Sequence, residues 1–427
     1  MAVAFIGGTV IDGTGAAPQP ETTVVVEGTK IVEITRKTEF GKDVHRVDVA
    51  GKTVMPGIID THVHYNPWMQ WIISKQQYSL TYLMARGVAV MRYLLERGVT
   101  TARDMGGCEI GMCQAQAEGH IPGPRSKTVL TIIQATNGVT DWMPGVGGTI
   151  SPQGLTAFLP GCPSPWADGE AAVRAKVREV LRYGAHFVKV ANTAVPWDKT
   201  YLRPDRPCFT QAELEALVDE AHRAGTEVCC HVCGYNDTQA TIEAIRAGVD
   251  LIDHGPLLDD ECVQEMAKKN IWYCPMFAIM EFHATRNRDP KVNPIGRRTL
   301  ELTKESVTRA IKAGVRICMG TDQGLEAGWH GLEMKMMVES GLTPMQAILA
   351  STKDAAEALK MQDLVGTLET GKEADLLVLD GDPLQDVSMV ADPAKLLLVM
   401  QAGKPFSGPL VSKLPHAALP KVAVSYF

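Results

Sequence analysis

Met55-Pro56-Gly57-Ile58-Ile59-Asp60-Thr61-His62-Val63-His64 is the stretch on which the reading of this chain turns. Pro56 and Gly57 punctuate its start, and Ile58 and Ile59 suit a buried strand. Side chains alternate along a strand, so His62 and His64 leave on the same face, about 6.6 Å apart along the axis. Two imidazoles side by side at a strand end can hold one metal ion. The plain alternative is a pair of surface or capped histidines, and the remainder of the chain has to decide between them.

The chain has 427 residues, a formal net charge of −7 and 45% hydrophobic residues. That length suffices for a large core, or for one large and one small domain. The charge is mildly acidic with no long run of one sign, which argues against nucleic acid or an anionic membrane as partner. Ten cysteines are scattered, several inside apolar strand-like runs, and read as free thiols of a reducing compartment. The first residues lack the basic region, apolar stretch and cleavage site of a signal peptide, and no apolar run reaches membrane-spanning length. The expectation is a cytoplasmic protein.

Residues 3–54 alternate short β-like runs (Val3–Ile6, Val10–Asp12, Thr23–Glu27, Lys30–Ile34, Arg46–Asp48) with Gly-containing turns. From residue 56 the pattern becomes strand then helix, repeated. After the first strand comes a helical region near 69–97. The later strands are expected at Val99–Asp104, Thr128–Gln134, Phe187–Ala191, Glu227–Val232, Leu251–His254, Trp272–Met276 and Arg316–Met319. Helices are expected between them, one opened by a Thr210/Glu213 capping box and another, after the eighth strand, by Thr343, Pro344 and Gln346. Eight strands alternating with helices predict an α/β fold of (β/α)8 TIM-like type over 56–363, with functional groups at the carboxyl ends of the strands. An open doubly wound sheet ranks below it, because no Gly-rich phosphate fingerprint follows any strand. Residues 364–427 return to β character and end in a Pro-containing tail.

Polar residues recur where those strands end: His62 and His64 on the first, Lys189 on the fourth, His231 on the fifth, His254 on the sixth and Asp322 after the eighth. Singly, each has a structural reading, as a paired lysine, a capping histidine or an N-cap aspartate. Six at matching strand ends are hard to reconcile with six independent accidents. A lysine flanked by valines on a buried strand is uncommon without a partner.

These residues carry a resemblance. The matching pieces are Pro56-Gly-Ile-Ile-Asp-Thr-His62-Val-His64, Gly98-Val-Thr-Thr-Ala-Arg-Asp-Met-Gly-Gly107, Lys189, His231, Asp253-His254-Gly255, Gly320-Thr321-Asp322 and Gly371-Lys-Glu-Ala-Asp-Leu-Leu-Val-Leu379. Over nearly its whole length the chain resembles metal hydrolases of the amidohydrolase superfamily. It is most similar to the imidazolonepropionase-related branch, which includes Xaa-Pro dipeptidases and N-acyl amino acid hydrolases. The resemblance implies that 1–55 and 364–427 pair as one β-sandwich, and that the protein is a homo-oligomer acting on a small molecule. It further implies two divalent metal ions, zinc foremost. His62, His64 and Asp322 would hold one, His231 and His254 the other, with Lys189 bridging as a carboxylated lysine. A hydroxide shared by the two ions would attack a carbonyl carbon, and Asp322 would carry the proton to the leaving nitrogen.

Substrate contacts are expected from strand-end loops. Dipeptidase-like members often carry a Gly-Gly-His element after strand three and a second histidine two residues after the strand-five ligand. Here those places read Thr136-Asn137-Gly138 and His231-Val232-Cys233. Asn137 and Cys233 are expected to line the pocket, and Trp142, Trp197, Tyr201 and Trp329 in strand-end loops favour an apolar or aromatic amide, urea or carbamate. Arg203 and Arg206 keep open a carboxylate clamp, and with it a dipeptidase or N-acyl amino acid hydrolase. His330, in Gly328-Trp-His-Gly331, is placed where a strand-eight loop would overhang the site. His120, His186, His222 and His283 read as structural or exposed. A mononuclear deaminase or imidazolone-type hydrolase, with Lys189 merely structural, remains as the second enzymatic reading, and a non-catalytic scaffold as the third.

Overall fold

A computed structural model describes residues 2–66, 79–136, 138–139, 163–195, 205–287, 290–323 and 328–415. Its first five strands are β1 (Ala2–Val10), β2 (Gln19–Glu27), β3 (Lys30–Thr35), β4 (Val44–Asp48) and β5 (Thr53–Pro56). Three more come from the far end of the chain: β15 (Leu376–Leu379), β16 (Leu396–Gln401) and β17 (Lys404–Ser407). Where two packed sheets were expected, hydrogen bonding follows one path, β17-β16-β15-β5-β1-β2-β3, with β4 on β1. The reason lies in Gly7-Gly8. The runs at Val3–Ile6 and Val10 are one strand with an irregular register around this pair, Gly7 having φ +78°. Before it β1 pairs β4, and beyond it β5. A bulge re-aims a strand in this way.

The remaining strands are β6 (Ile58–Val63), β7 (Val99–Asp104), β8 (Arg125–Thr128), β9 (Ile132–Ile133), β10 (Val188–Ala191), β11 (Val228–Val232), β12 (Leu251–His254), β13 (Trp272–Cys274) and β14 (Arg316–Ile317). All their pairings are parallel, in a three-stranded sheet β6-β7-β8 and a six-stranded sheet β14-β13-β12-β11-β10-β9. The third expected strand is thus two pieces. Leu130 has φ +64°, a left-handed conformation no strand continues through, so β8 stays with one sheet and β9 joins the other. Backbone bonds tie the first strand to the end of the eighth: Thr61 N to Met319 O at 3.0 Å, Asp322 N to His62 O at 2.8 Å and His64 N to Gln323 O at 2.9 Å.

Helices connect these strands. They are α1 (Leu80–Glu96), α2 (Ile110–Ala117), α3 (Glu170–Arg182), α4 (Gln211–Arg223), α5 (Gln239–Ala247), α6 (Asp260–Lys269), α7 (Phe277–Thr285), α8 (Val292–Ala313), α9 (Trp329–Glu339), α10 (Pro344–Ala350) and α11 (Lys353–Ala358). Their starts follow local chemistry. The expected Thr210/Glu213 capping box forms, Thr343 and Gln346 form a second one at the expected helix start, and Pro344 stands in the first turn where it needs no N–H partner. In α3, Val173, Val177 and Val180 are buried at helical spacing. Among the described residues no helix is long and apolar enough to cross a membrane.

The sheet and the β/α part share β15, which is buried on both faces. Leu376 and Val378 pack with Phe5, Val24, Val54 and Leu398, and Leu377 and Leu379 pack on the other side with Met55, Ile58, Leu94 and Val390. Inside the parallel strands lies a separate core of Ile59, Phe187, Cys229, Leu251, Cys274 and Cys318, against which Ala355, Ala356 and Leu359 pack. Because β15 seats one part of the molecule on the other, Leu377→Ala should cost about 2–5 kcal/mol by leaving a cavity at that seam. The exposed Val32→Ala should stay within about 0.5 kcal/mol. Urea denaturation monitored by circular dichroism measures both.

Candidate metal centre

Members of the proposed cluster stand at or near strands' carboxyl ends, except Lys189, the second residue of β10. His62 lies near the end of β6 and His64 just past it; Lys189 is on β10, His231 on β11, His254 closes β12, and Asp322 follows β14. His62, Lys189, His231 and His254 are buried. His62 Nε2 lies 3.5 Å and His64 Nε2 3.0 Å from the same oxygen, Asp322 Oδ1, while His254 Nε2 is 4.0 Å from Oδ2. One donor atom each from His62, His64 and Asp322 fall within 4.8 Å of one another. The rings of His231 and His254 meet edge to face with centroids 4.5 Å apart.

Two left-handed residues make this convergence. Successive strand side chains point to opposite faces, yet both Asp253 and His254 reach the interior. His254 has φ +67°, which turns its ring to the side its neighbour already occupies, and Asp322 has φ +55°. Such a backbone costs roughly 1–3 kcal/mol per residue and persists only where the surroundings enforce it. Two carboxyl groups brace the neighbouring strand ends. Asp60 accepts from the N–H groups of His62 and Thr321, each at 3.1 Å, and from Thr321 Oγ1 at 2.6 Å, binding the first strand end to the eighth. Asp104 accepts from Tyr65 N at 2.7 Å, Gly106 N at 2.9 Å and Cys108 N at 3.0 Å, binding the first to the second. Burial pushes the Asp60 carboxyl up to about 7 despite those bonds.

The proton positions follow from the partners. His62 Nδ1 is 3.0 Å from Asp253 Oδ1, and His64 Nδ1 is 2.8 Å from the Gly106 carbonyl oxygen. Carboxylate and carbonyl oxygens only accept, so each Nδ1 carries a proton and donates it. Neutral His62 then turns an Nε2 lone pair toward Asp322, while His64 Nε2 stands where it either donates to that carboxylate or gives its lone pair to a cation. Lone pairs and an anionic oxygen facing one another form a site for a cation.

Electrostatics separate His64 from the other three rings. Burial pushes His62 down to about 4, His254 to about 3 and His231 well below the ordinary imidazole range, so all three are neutral donors at pH 7. Burial opposes charge on His64 too, but the Asp322 carboxylate outweighs it and raises this ring. Asp322 is itself held well below the usual carboxylate range, burial being overcome by His64, His62 and His254. His231 Nε2 and His254 Nδ1 are buried with no hydrogen-bond partner among the described residues. Orphaned imidazole nitrogens on rings grouped near Asp322 fit a divalent metal ion.

Other expected site residues divide. Cys233 is buried just beyond His231, its N–H bonded to Thr193 Oγ1 at 2.7 Å. Trp329 packs its ring on Phe282, centroids 5.7 Å apart. His330 does not overhang the site: its buried ring meets the Arg97 carbonyl oxygen at 3.0 Å, near the amino end of β7, opposite the cluster. Its place in α9 rather than in a loop explains this. Arg206 is exposed and reaches Gln239 Oε1 at 3.4 Å, so it is no inward clamp. Asn137, Trp142, Trp197, Tyr201 and Arg203 lie outside the described residues. Sequence reasoning passed over Asp60, Asp104 and Asp253, although all three stand inside the matched motifs. It also gave His283 no part, yet that half-buried ring on α7 is pushed down to about 4 by desolvation and feels the charge of Asp322.

The comparisons with known proteins agree with this class of site and fold. The chain belongs to the amidohydrolase family, whose model matches residues 53–406, and the fold is a TIM-barrel-like α/β fold. It is accordingly a hydrolase acting on C–N bonds of small molecules. The ochratoxinase of Aspergillus niger is 31% identical over 381 residues, 86% of this chain and 77% of that one. A crystal structure of a prolidase complexed with N-methylphosphonate-L-proline superposes with a TM-score of 0.85 at 29% identity, over 95% of this chain and 99% of that one. Molinate hydrolase superposes with a TM-score of 0.78 at 26% identity, over 98% of each chain.

Gly320 shows how closely these side chains are held. A Cβ there would stand 2.6 Å from Cys274 Sγ, 2.8 Å from His62 Cβ and 3.1 Å from His62 N. Gly320→Ala should displace the first strand end and lower metal content per chain at least twofold, read by elemental analysis, with circular dichroism unchanged.

Proposed function

We propose that this chain is a binuclear metal-dependent amidohydrolase that cleaves a C–N bond of an apolar or aromatic amide, urea or carbamate. The observation that carries this reading is the convergence of His62 Nε2, His64 Nε2 and the Asp322 carboxylate, with both Nδ1 protons committed elsewhere. His62, His64 and Asp322 are proposed as one ligand set and His231 and His254 as the other, with Lys189 between them. Divalent ions held there, zinc foremost, supply Lewis-acid activation of water and of the scissile carbonyl.

The protein's own groups do the remainder. Asp322, ionised at neutral pH, takes a proton from the attacking water on its carboxylate and delivers it to the leaving nitrogen. Lys189 as an ammonium has no lone pair for a metal. Its amine adding to CO2 forms a carbamate with two anionic oxygens, and two protons leave the former ammonium. We further propose that 1–55 and 364–427 act as one unit beside 56–363, and that the protein is cytoplasmic and homo-oligomeric; the described cysteines are all unpaired.

Two measurements test the reading. Metal titration should saturate activity at about two ions per chain, and Lys189→Ala should lose most activity and one of the two ions. Saturation at one ion with full activity would favour the mononuclear deaminase or cyclic-amide reading. For the substrate, outward Arg206 favours neutral compounds. A free carboxylate brought into an apolar pocket loses more in desolvation than the roughly 1.5–3 kcal/mol an aromatic ring gains there. An N-acyl aromatic amino acid should therefore be a poorer substrate than its methyl ester in kcat/KM. The reverse order, abolished by Arg203→Ala, would point to a dipeptidase-like enzyme instead.

A further inference from the structure

Just past β9 the sheet gains one more short stretch of chain. Gln134 N donates to the Pro165 carbonyl at 2.9 Å and Ala167 N to the Gln134 carbonyl at 2.9 Å, a parallel bridge that sets Trp166 beside Gln134. Bridged residues of a parallel pair point to the same face of the sheet. That face is the one bearing His231. Ile132 pairs with Lys189 and Ile133 with Val190, so Gln134, one residue on, stands level with Ala191, which pairs with His231. The opposite face agrees with this alternation: Ile133, Ala135 and Ala167 pack in one core with Val188, Val190 and Cys230. Trp166 and Gln134 therefore look into the same interior as His231, across the small side chain of Ala191.

Trp166 is half-buried, but its indole Nε1 is buried and has no hydrogen-bond partner among the described residues. An indole nitrogen can only donate, and a buried donor left unpaired is unfavourable, so this one marks a place for an acceptor. The segment that carries it is anchored on both sides. Asp168 accepts from Thr136 N at 2.9 Å and from Thr136 Oγ1 at 2.6 Å, and Gly169 N donates to Glu213 Oε1 at 2.6 Å, in the cap of α4. None of these bonds uses the Trp166 side chain. The ring is thus fixed in advance at the carboxyl end of the sheet, where this fold receives its substrates.

We propose that Trp166 is a specificity-determining residue of this hydrolase. Its ring packs on the apolar part of the substrate, and its Nε1–H donates to an acceptor oxygen carried by that part, apart from the scissile carbonyl. The proposal rests on the apolar-amide reading of the site and narrows it to substrates with a second acceptor oxygen.

N-acetyl-L-phenylalanine methyl ester is compared with an analogue in which a propyl group replaces the ester, which keeps the shape and removes the acceptor. Acetate release gives kcat/KM for zinc-loaded wild type and for Trp166→Phe, which keeps a ring and loses the N–H. Trp166→Phe should lose about three- to tenfold on the ester, the worth of one hydrogen bond, and less than about twofold on the analogue. Equal losses on both compounds, or none, overturn the proposal. In wild type labelled with 15N-tryptophan, the Trp166 indole signal is assigned by its loss in Trp166→Phe or Trp166→Leu. It should move on addition of the ester and not of the analogue. A signal that neither compound moves, or that both move alike, overturns the proposal, and this measurement decides should Trp166→Phe not fold. A signal moved by the ester alone, with no acetate released by wild type, upholds Trp166 and overturns the apolar-amide reading instead.

Discussion

A carboxylate oxygen 3.0 Å from one imidazole nitrogen and 3.5 Å from another needs a proton or a cation between it and them. That constraint governs the site. The second nitrogen of each ring is already tied, His62 to Asp253 and His64 to the Gly106 carbonyl. Tautomers, ring orientations and the direction of the lone pairs are therefore settled by neighbours that never meet a substrate. The ligating face is only the inner edge of a network reaching into four strand ends.

Holding that face together costs backbone strain and buried charge, both met from within the fold. The left-handed turns at His254 and Asp322 place side chains where regular strands would not. Asp60 and Asp104 stitch the ends of the first, second and eighth strands with backbone N–H bonds. Glu333 does related work one strand on. Its carboxylate accepts from Phe277 N at 2.9 Å and Ala278 N at 2.7 Å, fixing the start of α7, which carries His283. Burial pushes Glu333 up to about 8, opposed by those two bonds.

Much of this was legible in the sequence because periodicity and end-of-strand chemistry are local. The strand positions apart from the third, the Thr210/Glu213 capping box and the grouping of polar residues at strand ends all follow from short stretches read alone. What escaped has a common cause: it depends on contacts between distant residues. Leu130 and Met276 give no sign in sequence of their left-handed backbones, yet the first splits the third strand and the second ends β13 at Cys274 and starts α7. His330 looks like a loop residue until the helix from Trp329 turns its ring to Arg97. Asp60, Asp104 and Asp253 sit within matched motifs, but spacing alone does not tell a carboxylate that ligates from one that orients.

The position of Asp253 sharpens that distinction. It neighbours His254 in sequence, and in a flat strand it would face away from it. The left-handed turn at His254 lets one short strand contribute both an imidazole to the cluster and the carboxylate that orients His62 across from it. Asp253 also meets Lys189, so the groups proposed for the two metal positions share a single buried anion. Charge at one position is then felt at the other without any side chain having to move. In an interior where water cannot screen, the charge state of Lys189 and the set of His62 are linked through one carboxylate.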